Sequence, residues 1–215
     1  MLDMENNRIR DKISQYRPEP LGGQRRFSVF LPLIDIDGET HILFEKRSQT
    51  VSQPGETSFP GGAVEEGETY EEAAIRETVE ELNVKESQID IYGEIDYIAT
   101  HTHVIYCFAG ELKNCTLKSL QPNKEVESLF TIPLDYFLTH QPEYHYVDLI
   151  MEHKEDFPFE LISNGDKYRW TTRKQGIPFY RLEGQYLWGF TAQFTHRFID
   201  IITDRQTTEI KGEQI

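Results

Sequence analysis

Short apolar stretches bounded by turn residues predict the strands of this chain. The first stretch, residues 27–34 (FSVFLPLI), is followed by the turn residues 35–38 (DIDG) and then by residues 40–47. Glycine at the end of such a turn supplies a positive φ, so these segments predict a β-hairpin. Further strands are predicted at residues 91–99, 103–111 and 128–132. Residues 140–180 alternate aromatic and charged side chains without a clear period, and we assign them no element.

Helical spacing of apolar residues predicts three helices, and the one at residues 69–82 has the strongest local signals. Thr69 and Glu72 have the spacing of a capping box, which satisfies the free amides at a helix start. Asn83 tolerates the left-handed conformation that commonly ends a helix. The other two helices are predicted at residues 4–16 and 187–202.

Composition places the chain among ordinary globular proteins. The 215 residues are 38% apolar and 27% charged, and we expect one domain over residues 1–215 with a frayed polar tail at 204–215. Cys107 and Cys115 are too few for a disulfide framework, so we expect two free thiols in a reducing cytoplasm. The N-terminus lacks a signal-peptide core, and no run of about 18 apolar residues predicts a membrane span.

The charge balance argues against polyanionic partners. Acidic residues number 37 and basic residues 22, which gives a formal net charge of −15. Nucleic acids and membrane surfaces are themselves negative, so we expect neither as a partner.

Acidic side chains cluster on one face of the helix predicted at 69–82. At about 100° per residue, Glu77, Glu80 and Glu81 fall within an arc of roughly 100°. A solvated outer face is the ordinary explanation for such charges. However, like charges one turn apart repel, and a group of carboxylates suits a hard cation such as Mg²⁺ or Mn²⁺. The opposite face carries the aliphatic residues Ile75, Val79 and Leu82.

The loop before this helix contains a tight turn, Phe59-Pro60-Gly61-Gly62. Two consecutive glycines allow the backbone to approach a ligand closely. An ordinary turn is the alternative explanation, because glycine and proline are common in any turn.

Residues 62–84 together resemble the Nudix box, and six of its fixed identities match at the fixed spacing. The matching residues are Gly62, Glu68, Arg76, Glu77, Glu80 and Glu81. Two positions depart from the usual pattern: Asn83 stands where the family has a glycine, and Thr78 where it has an aliphatic residue. The resemblance implies an α/β (α+β) fold, specifically an α/β/α sandwich around a mixed β-sheet.

The resemblance also implies a reaction and its residues. Nudix hydrolases cleave a nucleoside diphosphate linked to another moiety, so a small nucleotide derivative is the implied partner. Glu77, Glu80 and Glu81 would hold Mg²⁺ or Mn²⁺, together with the Gly61 carbonyl. The cation would offset the negative charge that repels a pyrophosphate.

Further box residues would support this chemistry. Arg76 would orient the glutamates or stabilise the box, and Glu68 would pair with Arg76. The general base stays open between Glu77, Glu80 and Glu125, the last in a later loop where the family often supplies a glutamate. An exposed surface residue is the ordinary alternative for Glu125.

Segments outside the box resemble Nudix coenzyme A pyrophosphatases. They are residues 43–48 (LFEKRS), 54–62 (PGETSFPGG) and 187–192 (LWGFTA). This resemblance implies cleavage of coenzyme A, or an acyl derivative, into 4′-phosphopantetheine and adenosine 3′,5′-bisphosphate. Lys46 and Arg47, with the backbone at Gly61 and Gly62, would contact the substrate phosphates. The segment between Ser48 and Pro54 is shorter than expected and lacks the subfamily's basic residues.

Three other functions stay open. ADP-ribose or a dinucleotide is an alternative substrate on the same fold, given the altered segment between Ser48 and Pro54. A non-catalytic Nudix-fold regulatory module is another possible function. It predicts that glutamates of the box are lost, and all three are present. An acidic scaffold protein would bind no divalent cation tightly. Residues 140–180 are a family-atypical insertion in this interpretation, and they could line the substrate pocket or form a homodimer contact.

Overall fold

Ten strands and four α-helices are defined in the computed structural model, which describes residues 2–205. Most of the predicted frayed tail, from residue 206 onward, lies outside the described residues. The helices are α1 (Leu2–Gln15), α2 (Tyr70–Leu82), α3 (Leu134–Thr139) and α4 (Gly189–Ile202). The strands are β1 (Arg25–Ile36), β2 (Glu39–Arg47), β3 (Thr57–Ser58), β4 (Gly61–Ala63), β5 (Ile89–Ala99), β6 (His103–Leu112), β7 (Val126–Pro133), β8 (Glu143–Leu149), β9 (Arg173–Leu182) and β10 (Gln185–Trp188).

Seven of the strands form one mixed sheet. Its order is β3-β2-β1-β6-β5, with β4 also paired to β1 and β7 also paired to β2. β1 and β6 run parallel, whereas the other neighbours run antiparallel. The hairpin predicted between β1 and β2 is present, and Asp37 and Gly38 both adopt positive φ in its turn. A positive φ at both central residues matches the twist of antiparallel strands.

The alternation of side chains along β1 divides the core between two layers. Phe30 and Ile34 pack with Leu82 of α2 on one face of the sheet. Leu31 packs with Phe137 of α3 and Phe194 of α4 on the other face. Helices therefore cover both faces, which confirms the predicted α/β/α sandwich with a mixed sheet.

Helix α2 has the ends that the sequence predicts. Thr69 and Glu72 form the reciprocal capping box, and Asn83 ends the helix in the left-handed conformation with φ 54°. Its packing face differs from the expectation, because Ile75 and Val79 are only half-buried. The small residues Ala73, Ala74 and Thr78 are buried instead, together with Leu82 and Glu81. Small side chains let the helix approach the sheet closely, and this places Glu81 against the sheet rather than in solvent.

Part of the unassigned stretch at 140–180 forms a second sheet. Its three strands have the order β10-β9-β8 and are antiparallel. The helix predicted at 187–202 begins only at Gly189, because Leu187 and Trp188 extend β10. Gly189, with φ 63°, turns the chain from strand to helix. Cys107 and Cys115 are free and buried. Between residues 2 and 205, no helix is both long and apolar enough to cross a membrane.

Candidate active site

The two glycines of the box place the backbone directly beside the glutamates of α2. β4 pairs with β1 so that Gly61 faces Val29 and Gly62 faces Ser28. Gly61 has φ 155°, and a Cβ there would collide with the backbone of Ser28 and Val29. A Cβ at Gly62 would collide with the carboxylate of Glu77. The backbone therefore requires glycine at Gly61, whereas a side chain at Gly62 would displace the Glu77 carboxylate.

Glu81 is buried between α2 and the sheet, with 6% of its surface exposed. Its Oε2 accepts a hydrogen bond of 2.7 Å from the Gly61 amide. Burial raises the pKa of Glu81 to about 7, and the neighbouring charge of Glu77 adds to this effect. The Gly61 hydrogen bond opposes the shift but does not cancel it.

Arg76 ties the loop to the helix through a group that we call the Arg76 clasp, formed by Arg76, Glu68 and Glu77. The Arg76 guanidinium donates two bonds to Glu68, of 2.8 and 3.0 Å, and one of 2.8 Å to Glu77. A fourth bond, of 3.0 Å, reaches the Ala63 carbonyl. The predicted Glu68–Arg76 pair is therefore present. These bonds lower the pKa of Glu68, whereas burial raises the pKa of Glu77 in spite of Arg76.

Glu80 and Glu125 are the exposed members of the glutamate cluster at the candidate site. The Glu80 side chain is 57% exposed, and its carboxylate lies 3.8 Å from Arg76. Glu125 is exposed in the loop before β7, and its carbonyl accepts a 2.8 Å bond from the Ser48 amide. The charge of Glu125 raises the pKa of both Glu77 and Glu81, so Glu125 lies near these two glutamates.

Glu45 is a member of this group that the sequence analysis missed. It lies on β2 and is only 1% exposed. Burial raises its pKa well above the ordinary value, Glu81 raises it further, and Arg47 opposes the shift. Strand alternation puts Glu45 on the same face as Leu43, which packs toward α2. This alternation was the available signal, because it places a carboxylate on a core-facing position.

The side chains of the two predicted basic residues, Arg47 and Lys46, point in different directions. The charge of Arg47 acts on Glu45 and Glu81, so Arg47 faces the glutamates. Its guanidinium also donates a 2.8 Å bond to the Ser52 carbonyl. Lys46 is next in the strand and points to the opposite face, where its ammonium lies 2.7 Å from Glu127. The structure therefore brings Arg47 to the site and does not bring Lys46.

Comparison with known proteins identifies the family. The model of the NUDIX domain matches residues 24–150, which is more than half of the chain. The chain belongs to the Nudix family. Nudix hydrolases are pyrophosphohydrolases that generally use divalent metal ions such as Mg²⁺ or Mn²⁺. The resemblance inferred from the box is thereby confirmed.

Relatives of this Nudix protein come from several organisms. It is 36% identical to Nudix hydrolase 3 of Caenorhabditis elegans over 117 residues, which cover 50% of this chain and 47% of that protein. It is 30% identical to the mouse peroxisomal coenzyme A diphosphatase NUDT7 over 164 residues, which cover 72% of this chain and 68% of that protein. A MutT/nudix family protein of Enterococcus faecalis shares the fold, with a TM-score of 0.54 and 13% identity over 93% of this chain and 69% of that chain.

The donor set of this Nudix site fits a divalent cation by its chemistry. Glu45, Glu77, Glu80 and Glu81 supply hard carboxylate oxygens, and Oε1 of Glu45 has no hydrogen-bond partner in the described part of the chain. Among the described side chains, at residues 6–205, no three His, Cys, Asp or Glu groups are already arranged around a metal position. Arg76 and the Gly61 amide engage Glu77 and Glu81 instead.

Proposed function

We propose that this protein hydrolyses the pyrophosphate bond of a nucleoside diphosphate derivative in a metal-dependent reaction. The observation that carries the proposal is the intact set of box glutamates, in which buried Glu81 accepts a bond from the Gly61 amide and is acted on by the charge of Arg47. A non-catalytic regulatory module predicts that these glutamates are replaced by other residues. An acidic scaffold protein does not require carboxylates that are buried against the sheet.

Coenzyme A, or an acyl-coenzyme A, is the substrate that we propose. The products would be 4′-phosphopantetheine and adenosine 3′,5′-bisphosphate. Two features support this choice: the segments 43–48 and 54–62, and the similarity to a mouse coenzyme A diphosphatase over 164 residues.

The residues of the site have separate roles in metal binding, positioning and proton transfer. The cation, when bound by Glu77, Glu80 and Glu81, supplies positive charge for the pyrophosphate and lowers the pKa of a bound water. Arg76 fixes the orientation of Glu77, and the Gly61 amide fixes that of Glu81. The exposed carboxylates of Glu80 and Glu125 are the best placed to accept a proton from an attacking water.

Arg47 is the phosphate-binding side chain in this proposal. It faces the glutamates, and a guanidinium binds phosphate oxygens with matching geometry. Gly61 and Gly62 complete the phosphate side of the site, because the backbone there carries no side chain that would block a close approach.

ADP-ribose or a dinucleotide is the second candidate substrate. The segment between Ser48 and Pro54 contains no basic residue, and Arg47 bonds the Ser52 carbonyl within it. A substrate without a 3′-phosphate needs fewer positive contacts there, so this loop keeps the second candidate open.

The test is product identification. The purified protein is incubated with Mg²⁺ or Mn²⁺ and with coenzyme A, acetyl-coenzyme A, ADP-ribose, NADH or diadenosine polyphosphates, and products are read by mass spectrometry. Adenosine 3′,5′-bisphosphate is the product expected to appear fastest. AMP released faster from ADP-ribose or NADH would replace the substrate and keep the reaction. No turnover of any compound would overturn the proposal.

A further inference from the structure

Glu45 is a buried carboxyl group with one oxygen atom, Oε1, that no described group of the protein satisfies. It is 1% exposed, and its Oε1 has no hydrogen-bond partner among residues 2–205. Leaving a buried polar group without a partner destabilises the fold, and more so when the group is charged. Such a group in a native fold calls for a ligand or a compensating charge.

The groups around Glu45 do not provide that compensation. Arg47 is the cation that acts on it, but the Arg47 guanidinium bonds the carbonyl and hydroxyl of Ser52. The nearby amide of Gly61 bonds Glu81. Glu81 and Glu77 are the remaining charged neighbours, and both repel a second negative charge. The described part of the chain therefore shows no group that offsets a charged Glu45 carboxylate.

We propose that Glu45 is a further metal-binding residue, which adds a strand-borne carboxylate to the divalent-cation site of helix α2. The inference rests on the proposed function, since it assumes that the box glutamates bind a divalent cation. A hard cation is the ligand class that carboxylates select, and bringing Glu45 and Glu81 onto one cation turns their repulsion into attraction. The site then joins β2 to α2.

Direct metal binding tests this inference without any substrate. Binding of Mn²⁺ to the full chain is measured by the electron paramagnetic resonance signal of free Mn²⁺. The variants are Glu45→Gln and Glu39→Gln, the latter an exposed glutamate on the same strand. We expect Glu45→Gln to lose one bound ion or to bind Mn²⁺ at least about tenfold more weakly. Glu39→Gln should match the wild type.

Thermal unfolding in EDTA checks the fold of the variants. The Gln side chain has nearly the same volume, so Tm should be unchanged or higher, and the rise in Tm on adding Mn²⁺ should shrink. If Glu45→Gln does not fold, Glu45→Leu is used in its place, because it also removes the carboxylate.

The outcomes separate this inference from the proposed function. Wild-type Mn²⁺ affinity and stoichiometry in folded Glu45→Gln or Glu45→Leu would overturn the role of Glu45 and leave the hydrolase proposal standing. A wild-type protein that binds no Mn²⁺ and cleaves no substrate would overturn both.

Discussion

The acidic residues of the site form two sets that lie in different environments. In the Arg76 clasp, Glu68 and Glu77 share a guanidinium, and the pKa of Glu68 is lowered. At the base of the site, Glu45 and Glu81 are both buried, and burial raises the pKa of each. Residue type is the same in both parts, so the available partner decides the role. Arg76 offsets Glu68 within the chain, whereas burial keeps the pKa of Glu77 raised. We propose that a cation offsets the buried pair of Glu45 and Glu81.

Replacing a member of the buried pair should produce the largest effect. We expect Glu81→Gln to lower kcat/KM by at least about 100-fold, because a proposed metal ligand is lost. The same change removes a buried charge, so the free energy of unfolding in EDTA should stay equal or rise. Steady-state kinetics and urea denaturation measure the two quantities. If Glu81→Gln lowers both stability and activity, the contrast between the Arg76 clasp and the buried pair would be wrong.

The glycine turn offers the next largest effect. In Gly62→Ala, the new Cβ must displace the Glu77 carboxylate, which is the end of a flexible side chain. We expect about a tenfold or greater loss in Mn²⁺ affinity with little change in Tm. Gly61→Ala is the matched control, since its Cβ meets backbone at a positive φ and should lower Tm instead. Equal behaviour of the two variants would contradict this account.

Breaking the clasp should cost stability. Arg76→Gln removes charge-assisted bonds to Glu68 and Glu77, and we expect the free energy of unfolding to fall by about 1–3 kcal/mol. Chemical denaturation measures this loss. Arg26→Gln is the control, because its contact with Glu19 is an exposed pair at 3.8 Å. An Arg76 variant as stable as the control would show that the clasp is not structural.

Stability in EDTA should depend on pH through the buried pair. The pKa of Glu81 rises from an ordinary value of 4.5 to about 7 in the folded protein. Between these values the unfolded chain releases a proton that the folded chain keeps, so stability falls as pH rises and the loss is complete above about 7. The groups that face Glu81 are Glu45, Glu77, Glu125, Arg47 and the Gly61 amide.

Urea denaturation at pH 5 and pH 7.5 measures this dependence. Glu81→Gln should show a smaller decline than the wild type, and Mg²⁺ should reduce the decline in the wild type. An identical decline in the variant would assign the effect to the general charge of the chain instead.

The sequence predicts what local chemistry decides. Thr69 and Glu72 form the expected cap, Asn83 ends the helix, and Glu68 pairs with Arg76. These features depend on residues within about one to three turns of each other, so spacing alone is sufficient to find them.

Features that depend on packing between distant segments were not predictable in the same way. Glu45 is buried because it lies on the core-facing side of β2, the side on which Leu43 packs, and Glu81 is buried because Ala74 and Thr78 let the helix approach the sheet. The three-stranded sheet joins Glu143–Leu149 to strands some thirty residues later, and no local period reports such a pairing.

The most direct test of the central claim is the hydrolysis rate of coenzyme A with and without metal, in the wild type and in Glu80→Gln. Glu71→Gln, an exposed glutamate at the start of the same helix, is the control. The account predicts at least about a 100-fold lower rate in EDTA and in Glu80→Gln, and a rate within about twofold of wild type in the control. A rate that persists in EDTA, or full activity in Glu80→Gln, would contradict it.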